Sequence, residues 1–286
     1  QLMFKLPELR GHMCPREEPN IIYFSCDYDY FDRHGFALQQ SINRTVGWVH
    51  VHCHIINEGN IDHALLKDLM GRYKFTYTWE DTNEQFYKDL PKNKSMMGEG
   101  IQIFRTSDLD YIARRTYLAS VRFIRMAELF TYPHQRILQI DCDSILRNGF
   151  HGHQFEEVTN VVGVMPKPKE QHIFIASALS PGIDTKGIEW RNLFARRMIT
   201  AFENGCYWFV DQVVLRQVMA EWKNMGNNYN HIGYNWNSWG IKKNNVFSTG
   251  KGNKKEGLKF KQAQLKWLPY HWYKVVMKEI QEEKNK

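Results

Sequence analysis

The chain lacks any apolar run near the roughly 18–20 residues that a membrane-spanning helix needs. It has no basic segment leading into an apolar core of the kind a secretory signal carries. Cysteine is scarce: Cys14, Cys26, Cys53, Cys142 and Cys206 are scattered, odd in number and never spaced Cys-x-x-Cys. That pattern supports neither a disulfide framework nor a zinc ribbon and fits a reducing compartment. Gly-x-Gly-x-x-Gly and Gly-x-x-x-x-Gly-Lys-Ser/Thr are both missing, which removes the ordinary dinucleotide and phosphate-loop fingerprints. A soluble, cytoplasmic protein without stable membrane insertion is the expectation.

What is present is core material and positive charge. Of 286 residues, 43% are hydrophobic and 14% aromatic, enough to bury the core of one large α/β domain or two small ones. The formal charge is +7, with much of the excess between Lys242 and Lys266. A basic balance favours nucleotides, nucleic acid or an anionic membrane surface; a solvated basic face is the plain alternative.

The most informative stretch is Arg136-Ile-Leu-Gln-Ile-Asp-Cys-Asp-Ser-Ile-Leu146. Ile137, Leu138 and Ile140 read as a strand buried on both faces. Asp141 and Asp143 end it. In extended backbone, residues two apart point the same way, so these carboxylates can converge. Two close carboxylates call for a cation or a proton between them, and hard oxygen ligands suit Mg²⁺ or Mn²⁺ on a diphosphate. An Asp-x-Asp is also a common turn or helix cap.

Around that strand the spacing predicts an alternation. Ile21–Ser25 is a first strand, followed by Cys26-Asp-Tyr-Asp-Tyr-Phe31, whose acids and rings could seat a nucleoside. A helix follows from Gly35 to Ile42. Val46–Ile56 is a second strand on which His50, His52 and His54 share a face, as a zinc site or as hydrogen-bonded structural histidines. Ile61–Gly71 is a helix, Tyr73–Trp79 a third strand, and Asp110–Phe130 a long helix carrying Arg114, Arg115, Arg122 and Arg125. Strands alternating with helices argue for a mainly parallel, mixed sheet with helices on both faces and a Rossmann-like nucleotide-binding half. Gly11-His12-Met13 reads as vector-derived, so residues 1–20 are expected to be a tail, 21–266 one domain (21–146 for the nucleotide, 147–266 for donor sugar and acceptor), and 267–286 a C-terminal helix.

Four segments in this order resemble the nucleotide-sugar glycosyltransferases of the GT-A fold, and within them family 8, the retaining group that includes glycogenin. They are Ser25-Cys-Asp-Tyr-Asp-Tyr30 with its helix ending Gln-Ser-Ile42; Tyr117 to Arg122-Phe123; Leu138-Gln-Ile-Asp-Cys-Asp-Ser-Ile145; and Trp208-Phe-Val-Asp-Gln-Val-Val-Leu215. The resemblance implies a GT-A-like α/β fold and transfer of a sugar from a nucleotide diphosphate sugar, UDP-linked by preference, to an acceptor hydroxyl. It implies Mn²⁺ or Mg²⁺ on Asp141 and Asp143. Asp27 or Asp29 would bond the base or ribose, Tyr28 or Tyr30 would stack on the base, and Arg122 would lie near phosphate or sugar. Lys251 and Lys254 would sit on a Gly-rich lid, and Asp211 and Gln212 would face the anomeric centre. The acceptor would be a carbohydrate, a lipid-linked glycan or, given the charge, DNA.

The chain departs from the family in two places. No histidine precedes Val246-Phe-Ser-Thr-Gly-Lys-Gly-Asn-Lys-Lys255 where the family places its third metal ligand, which leaves His231, Ser248 or water. Phe174-Ile-Ala-Ser177 is the nearest match to the family's Asn-Ala-Gly turn. Two other readings stay open: a metal-dependent nucleotidyltransferase, which would need a further Gly-rich loop, and a basic nucleic-acid-binding protein without catalysis, for which no recognisable motif is present.

Overall fold

A computed structural model describes residues 4–167, 170–250 and 257–285. Eleven strands are found among the described residues: β1 (Arg10–Gly11), β2 (Asn20–Asp27), β3 (His50–Asn57), β4 (Phe75–Asp81), β5 (Arg136–Ile140), β6 (Ser144–Leu146), β7 (Val162–Lys167), β8 (Glu170–Pro181), β9 (Asn230–His231), β10 (Asn237–Trp239) and β11 (Phe247–Thr249). Eight of them form one sheet in the order β1-β4-β3-β2-β5-β8-β7-β9, and β10-β11-β6 form a second. β4, β3, β2 and β5 run parallel, while β8 pairs antiparallel with both β5 and β7. The sheet is therefore mixed, with its parallel half where the alternation predicted it.

The helices are α1 (Tyr28–Tyr30), α2 (Phe36–Thr45), α3 (His63–Arg72), α4 (Glu84–Asp89), α5 (Gly98–Phe104), α6 (Leu109–Leu129), α7 (Gly152–Thr159), α8 (Asp184–Asn204), α9 (Val210–Asn224), α10 (Leu258–Leu265) and α11 (Tyr270–Lys284). A π turn, Phe31–Gly35, joins α1 to α2. α6 starts where the Asp108 carboxylate accepts from the N–H groups of Asp110 and Tyr111, an N-cap that satisfies otherwise orphaned donors. Tyr117, Val121, Phe123 and Ile124 of α6 are buried between the sheet and α8. None of the described helices is long and apolar enough to cross a membrane.

The three same-face histidines of β3 are structural. His50 Nε2 and His52 Nδ1 share the Thr76 hydroxyl at 2.7 and 2.8 Å, and His52 Nε2 and His54 Nδ1 share that of Thr78 at 3.1 Å each. The ladder ends at Glu80, 3.4 Å from His54 Nε2, which also takes the Arg125 guanidinium and the Tyr117 hydroxyl. Among the described residues no cluster of His, Cys, Asp and Glu is arranged to hold a metal by itself. Buried polar groups persist only when paired in this way.

Residues 4–12, set aside by the sequence reading, pack on the fold. Arg10 and Gly11 pair with Trp79 and Thr78 on the sheet edge, and His12 N–H donates to the Tyr77 carbonyl at 2.8 Å. Gly11 has φ +108°, and a Cβ there would lie 2.7 Å from the Tyr77 oxygen, so glycine is required. The Pro7 carbonyl accepts from Arg125 at 2.6 Å, and Phe4 packs edge-on against Phe202. A run without periodicity hid these contacts because they come from irregular backbone lying along an edge. The C-terminal helix begins later than expected, at Tyr270 after Pro269. It is tied down by Glu279, which pairs with Arg33 and Lys261, and by Trp272 under Arg33.

Two outcomes follow. Gly11→Ala combines a left-handed backbone with a backbone overlap, and we expect chemical denaturation to read a loss of about 1–3 kcal/mol; an unchanged midpoint would mean the edge strand is dispensable. The His50 pKa is lowered from 6.5 to about 4 by burial. The unfolded chain therefore binds the extra proton first as pH falls, and stability present above pH 6.5 declines towards pH 4, by on the order of 3 kcal/mol from this group. His50→Gln should flatten that slope in denaturation curves collected across pH 4–7.

Candidate active site

The ends of β2 and β5 open into a cavity of about 430 Å³, walled by α5, α6, the Ile175–Ser177 part of β8 and the first turn of α9. The carboxyl ends of parallel strands are where α/β sheets bind ligands, because the backbone turns away there and leaves room.

β2 supplies Ser25, Cys26 and Asp27. Asp27 caps the chain reversal by accepting from Tyr30 N–H at 2.8 Å. Burial raises its pKa against the pull of that N–H and of Arg114. The reversal turns Tyr30 back over the cavity, where its hydroxyl donates to Asp143 Oδ2 at 2.8 Å. Burial, then the Asp143 charge, pushes the Tyr30 phenol far up, so it stays protonated as a donor.

β5 supplies the two acids by a turn rather than by strand alternation. The strand stops at Ile140, and Ser144 N–H closes a turn onto the Asp141 carbonyl at 3.2 Å. Asp141 N–H donates to Ser177 O at 3.0 Å, which anchors the turn to β8. Cys142 lies against Cys26, with the sulfurs 3.2 Å apart. Asp141 and Asp143 both line the same cavity, delivered by a turn rather than by extended backbone.

Arg122, on the buried face of α6, joins the parts. Its Nη1 donates to Asp141 Oδ1 at 2.5 Å, its Nη2 donates to Ala176 O at 3.1 Å, and Asp211 Oδ2 stands 3.9 Å from Nη2. Burial works against its charge, but Asp141 and Asp211 outweigh it and the pKa is raised. Asp211 and Gln212 enter from the first turn of α9, which begins at Phe209 with φ +67°. A left-handed aromatic residue is a costly conformation; here it turns the chain so that the helix presents Asp211 and Gln212 to the cavity. Gln212 N–H donates to the Asp211 carboxylate at 2.9 Å.

Other residues named from sequence lie elsewhere. Tyr28 is buried beside Phe31, its ring stacked at 6.1 Å, and does not line the cavity. Asp29 is exposed and accepts from Asn60 at 2.6 Å. Ser248 is buried against Asn245, and His231 is exposed near Tyr229 and Phe174; neither lines the cavity. Lys251 and Lys254 lie outside the described residues. Gly250, just before them, donates its N–H to the Asp143 carbonyl at 2.7 Å.

Three wall residues went unnamed as site residues: Arg115, Phe104 and Trp208. Arg115 had a legible signal, since seven residues separate it from Arg122 and two helical turns bring both to one face. The aromatic wall had none, because Phe104 comes from a short helix without periodicity.

The donor set fits a divalent cation bound partly by substrate. Mg²⁺ and Mn²⁺ commonly take one or two carboxylates and complete their shell with phosphate oxygens and water. The cavity lining holds four carboxylates, Asp27, Asp141, Asp143 and Asp211, against two guanidinium groups, Arg115 and Arg122. That excess of negative charge favours a cation.

No protein-family model and no curated protein sequence matches the chain. Solved structures do. The bifunctional glycosyltransferase WbbM, in its apo form, superposes at a TM-score of 0.58 and 13% identity, over 93% of this chain and 52% of that one. GlyE of Streptococcus pneumoniae TIGR4, also a glycosyltransferase, gives 0.53 at 12% identity, over 92% and 64%. The galactosyltransferase LgtC, solved with donor and acceptor sugar analogues, gives 0.51 at 13% identity, over 88% and 98%. The chain thus spans about half the length of WbbM and nearly all of LgtC. At such identities the likeness is one of architecture, and the fold is the GT-A-like one that the sequence led us to expect.

Proposed function

We propose that this chain is a glycosyltransferase that moves a sugar from a nucleotide diphosphate sugar, a UDP-sugar by preference, to a hydroxyl of an acceptor carbohydrate. The observation that carries the reading is the meeting of Asp141, Asp143, Arg122, Asp211 and Gln212 in one cavity at the parallel strand ends. Asp141 and Asp143 would hold Mn²⁺ or Mg²⁺, which when bound neutralises the charge that develops on the leaving diphosphate.

The chain's own groups do the rest. The Tyr30 hydroxyl and the Arg122 guanidinium hold the two acids in place, which fixes where the diphosphate docks. Asp27, at the end of β2, is placed to accept from nucleoside hydroxyl or N–H groups. Asp211 sits beside Arg122 and would face the anomeric centre, where its carboxylate would stabilise developing positive charge; the family resemblance supports retention of configuration. Gln212, next on the same helix turn, has an amide to position the sugar.

Thermal unfolding with nucleoside diphosphates tests the donor site. UDP with Mn²⁺ at 100 times Kd should stabilise the native state by about 2.7 kcal/mol, a rise of several degrees, and Asp143→Ala should abolish it. If no nucleoside diphosphate moves the midpoint with any divalent metal, the proposal fails. Asp211→Asn should leave diphosphate binding intact but slow transfer by roughly 100-fold or more, and NMR of the wild-type product should show the donor's anomeric configuration kept. An inverted product would make Asp211 the base.

A further inference from the structure

We infer that Arg115 and the aromatic wall beside it bind an anionic substituent, a carboxylate or a phosphate, carried by the acceptor sugar. This assignment rests on the transferase reading above and names the substrate class for the far end of the same cavity.

α6 carries four arginines whose surroundings separate them. Arg114 clamps Glu58 through two hydrogen bonds of 2.7 and 2.5 Å. Arg122 is held by Asp141, and Arg125 by Glu80 and Glu128. Arg115 faces the cavity, and no hydrogen bond or ion pair reaches it from the described residues. Its Nε is buried without a partner, and its guanidinium stands 6.0 Å from the Phe104 ring centre. Asp27 and Glu58 feel its charge only through space. A half-buried cation beside Phe104, Leu118 and Ala119 has no hydrogen-bonded counter-charge among the described residues, and a ligand anion would supply one.

The neighbouring wall is closely packed aromatic surface. Trp208 meets Phe104 edge-on at 4.7 Å, and its indole Nε1 is buried without a partner. Gly100 lets α5 press in, since a Cβ there would sit 2.9 Å from Ile112 and 3.3 Å from Trp208. Arg115 and Trp208 thus line one wall of the cavity together with Phe104. An anion would pair with the Arg115 guanidinium, and the C–H face of a sugar ring suits the aromatic rings, whereas neutral hydroxyls would bring the guanidinium no counter-charge.

Distance along α6 separates this anion from the donor diphosphate, which leaves the acceptor to carry it. Arg115 and Arg122 lie seven residues apart, about 10.5 Å along the helix. A diphosphate held at Asp141 and Asp143 beside Arg122 does not also span that distance. The Arg115 end lies towards α5, where Ile103 is 47% exposed at the rim, so a second substrate can enter there.

The test uses the full chain loaded with Mn²⁺ and the nucleoside diphosphate that stabilises it. Glucose, glucuronate and glucose 6-phosphate are titrated as probes by ligand-observed NMR. We expect at least one anionic sugar to bind roughly tenfold or more tightly than glucose, as a charge-assisted pair allows. The two anionic probes tell carboxylate from phosphate. Arg115→Gln should erase that preference, Arg115→Lys should keep part of it, and neither should change diphosphate affinity by more than about twofold. The Arg115→Gln unfolding midpoint should not fall, because no internal partner is lost. Equal binding of glucose and both anionic sugars overturns the inference. So does a loss of diphosphate affinity in Arg115→Gln, or a loss confined to UDP-glucuronate relative to UDP-glucose, which would move the anion to the donor. If no diphosphate loads, the transferase reading has failed, and the same comparison on unloaded protein still decides whether Arg115 selects an anion.

Discussion

Arg122 is the constraint on which the candidate site depends. One buried guanidinium reaches the turn after β5 through Asp141, the neighbouring strand through the Ala176 carbonyl, and the start of α9 through Asp211. Desolvating that charge is expensive, and the two carboxylates return the cost only while both stay close. Removing either acid would leave a buried cation under-compensated. The pairing therefore does more than stabilise. It holds α6, β5, β8 and α9 at fixed distances at the place where a transferred sugar would sit.

The adjoining turn of α6 is anchored by the same logic. Glu80 collects Arg125, Tyr117 and the end of the His50–His52–His54 ladder. Burial holds His50 and His52 neutral, so these two carry polarity between β3 and β4 without adding charge. α6 thus hangs between two buried acid–base clusters, one structural at Glu80 and one at the cavity. The N-terminal segment closes the first through the Pro7 carbonyl on Arg125, which explains why irregular chain is held so firmly against the sheet edge.

Much of this was legible in sequence where local pattern and global fold agree. The apolar strands before Asp27 and Asp141, the long helix carrying Arg122 and the Asp211-Gln212 helix start all stand where their spacing put them. What failed did so for definable reasons. Tyr28 and Tyr30 are alike in type and two residues apart; only the reversal capped by Asp27, which periodicity does not encode, decides that Tyr30 faces the cavity and Tyr28 the core. The Asp-x-Asp geometry was reached from extended backbone, yet a turn delivers it. Arg115 looked like one more surface arginine because the carboxylates that occupy its neighbours, Glu58 and Glu80, are distant in sequence.

The charge inside the cavity also runs against the charge of the chain. The whole sequence carries +7, whereas the cavity lining holds twice as many carboxylates as guanidinium groups. Arg122 is spoken for, so it cannot draw a diphosphate in alone, and a bare dianionic group would meet Asp141 and Asp143 as repulsion. A bound divalent cation would reverse that sign locally, so on the proposed reading a nucleotide would enter with its metal or after it, and the net positive charge of the chain would act on anionic substrates at longer range. Arg115 fits the same division. Two helical turns from Arg122, it would hold a second anion without competing for a metal at Asp141 and Asp143.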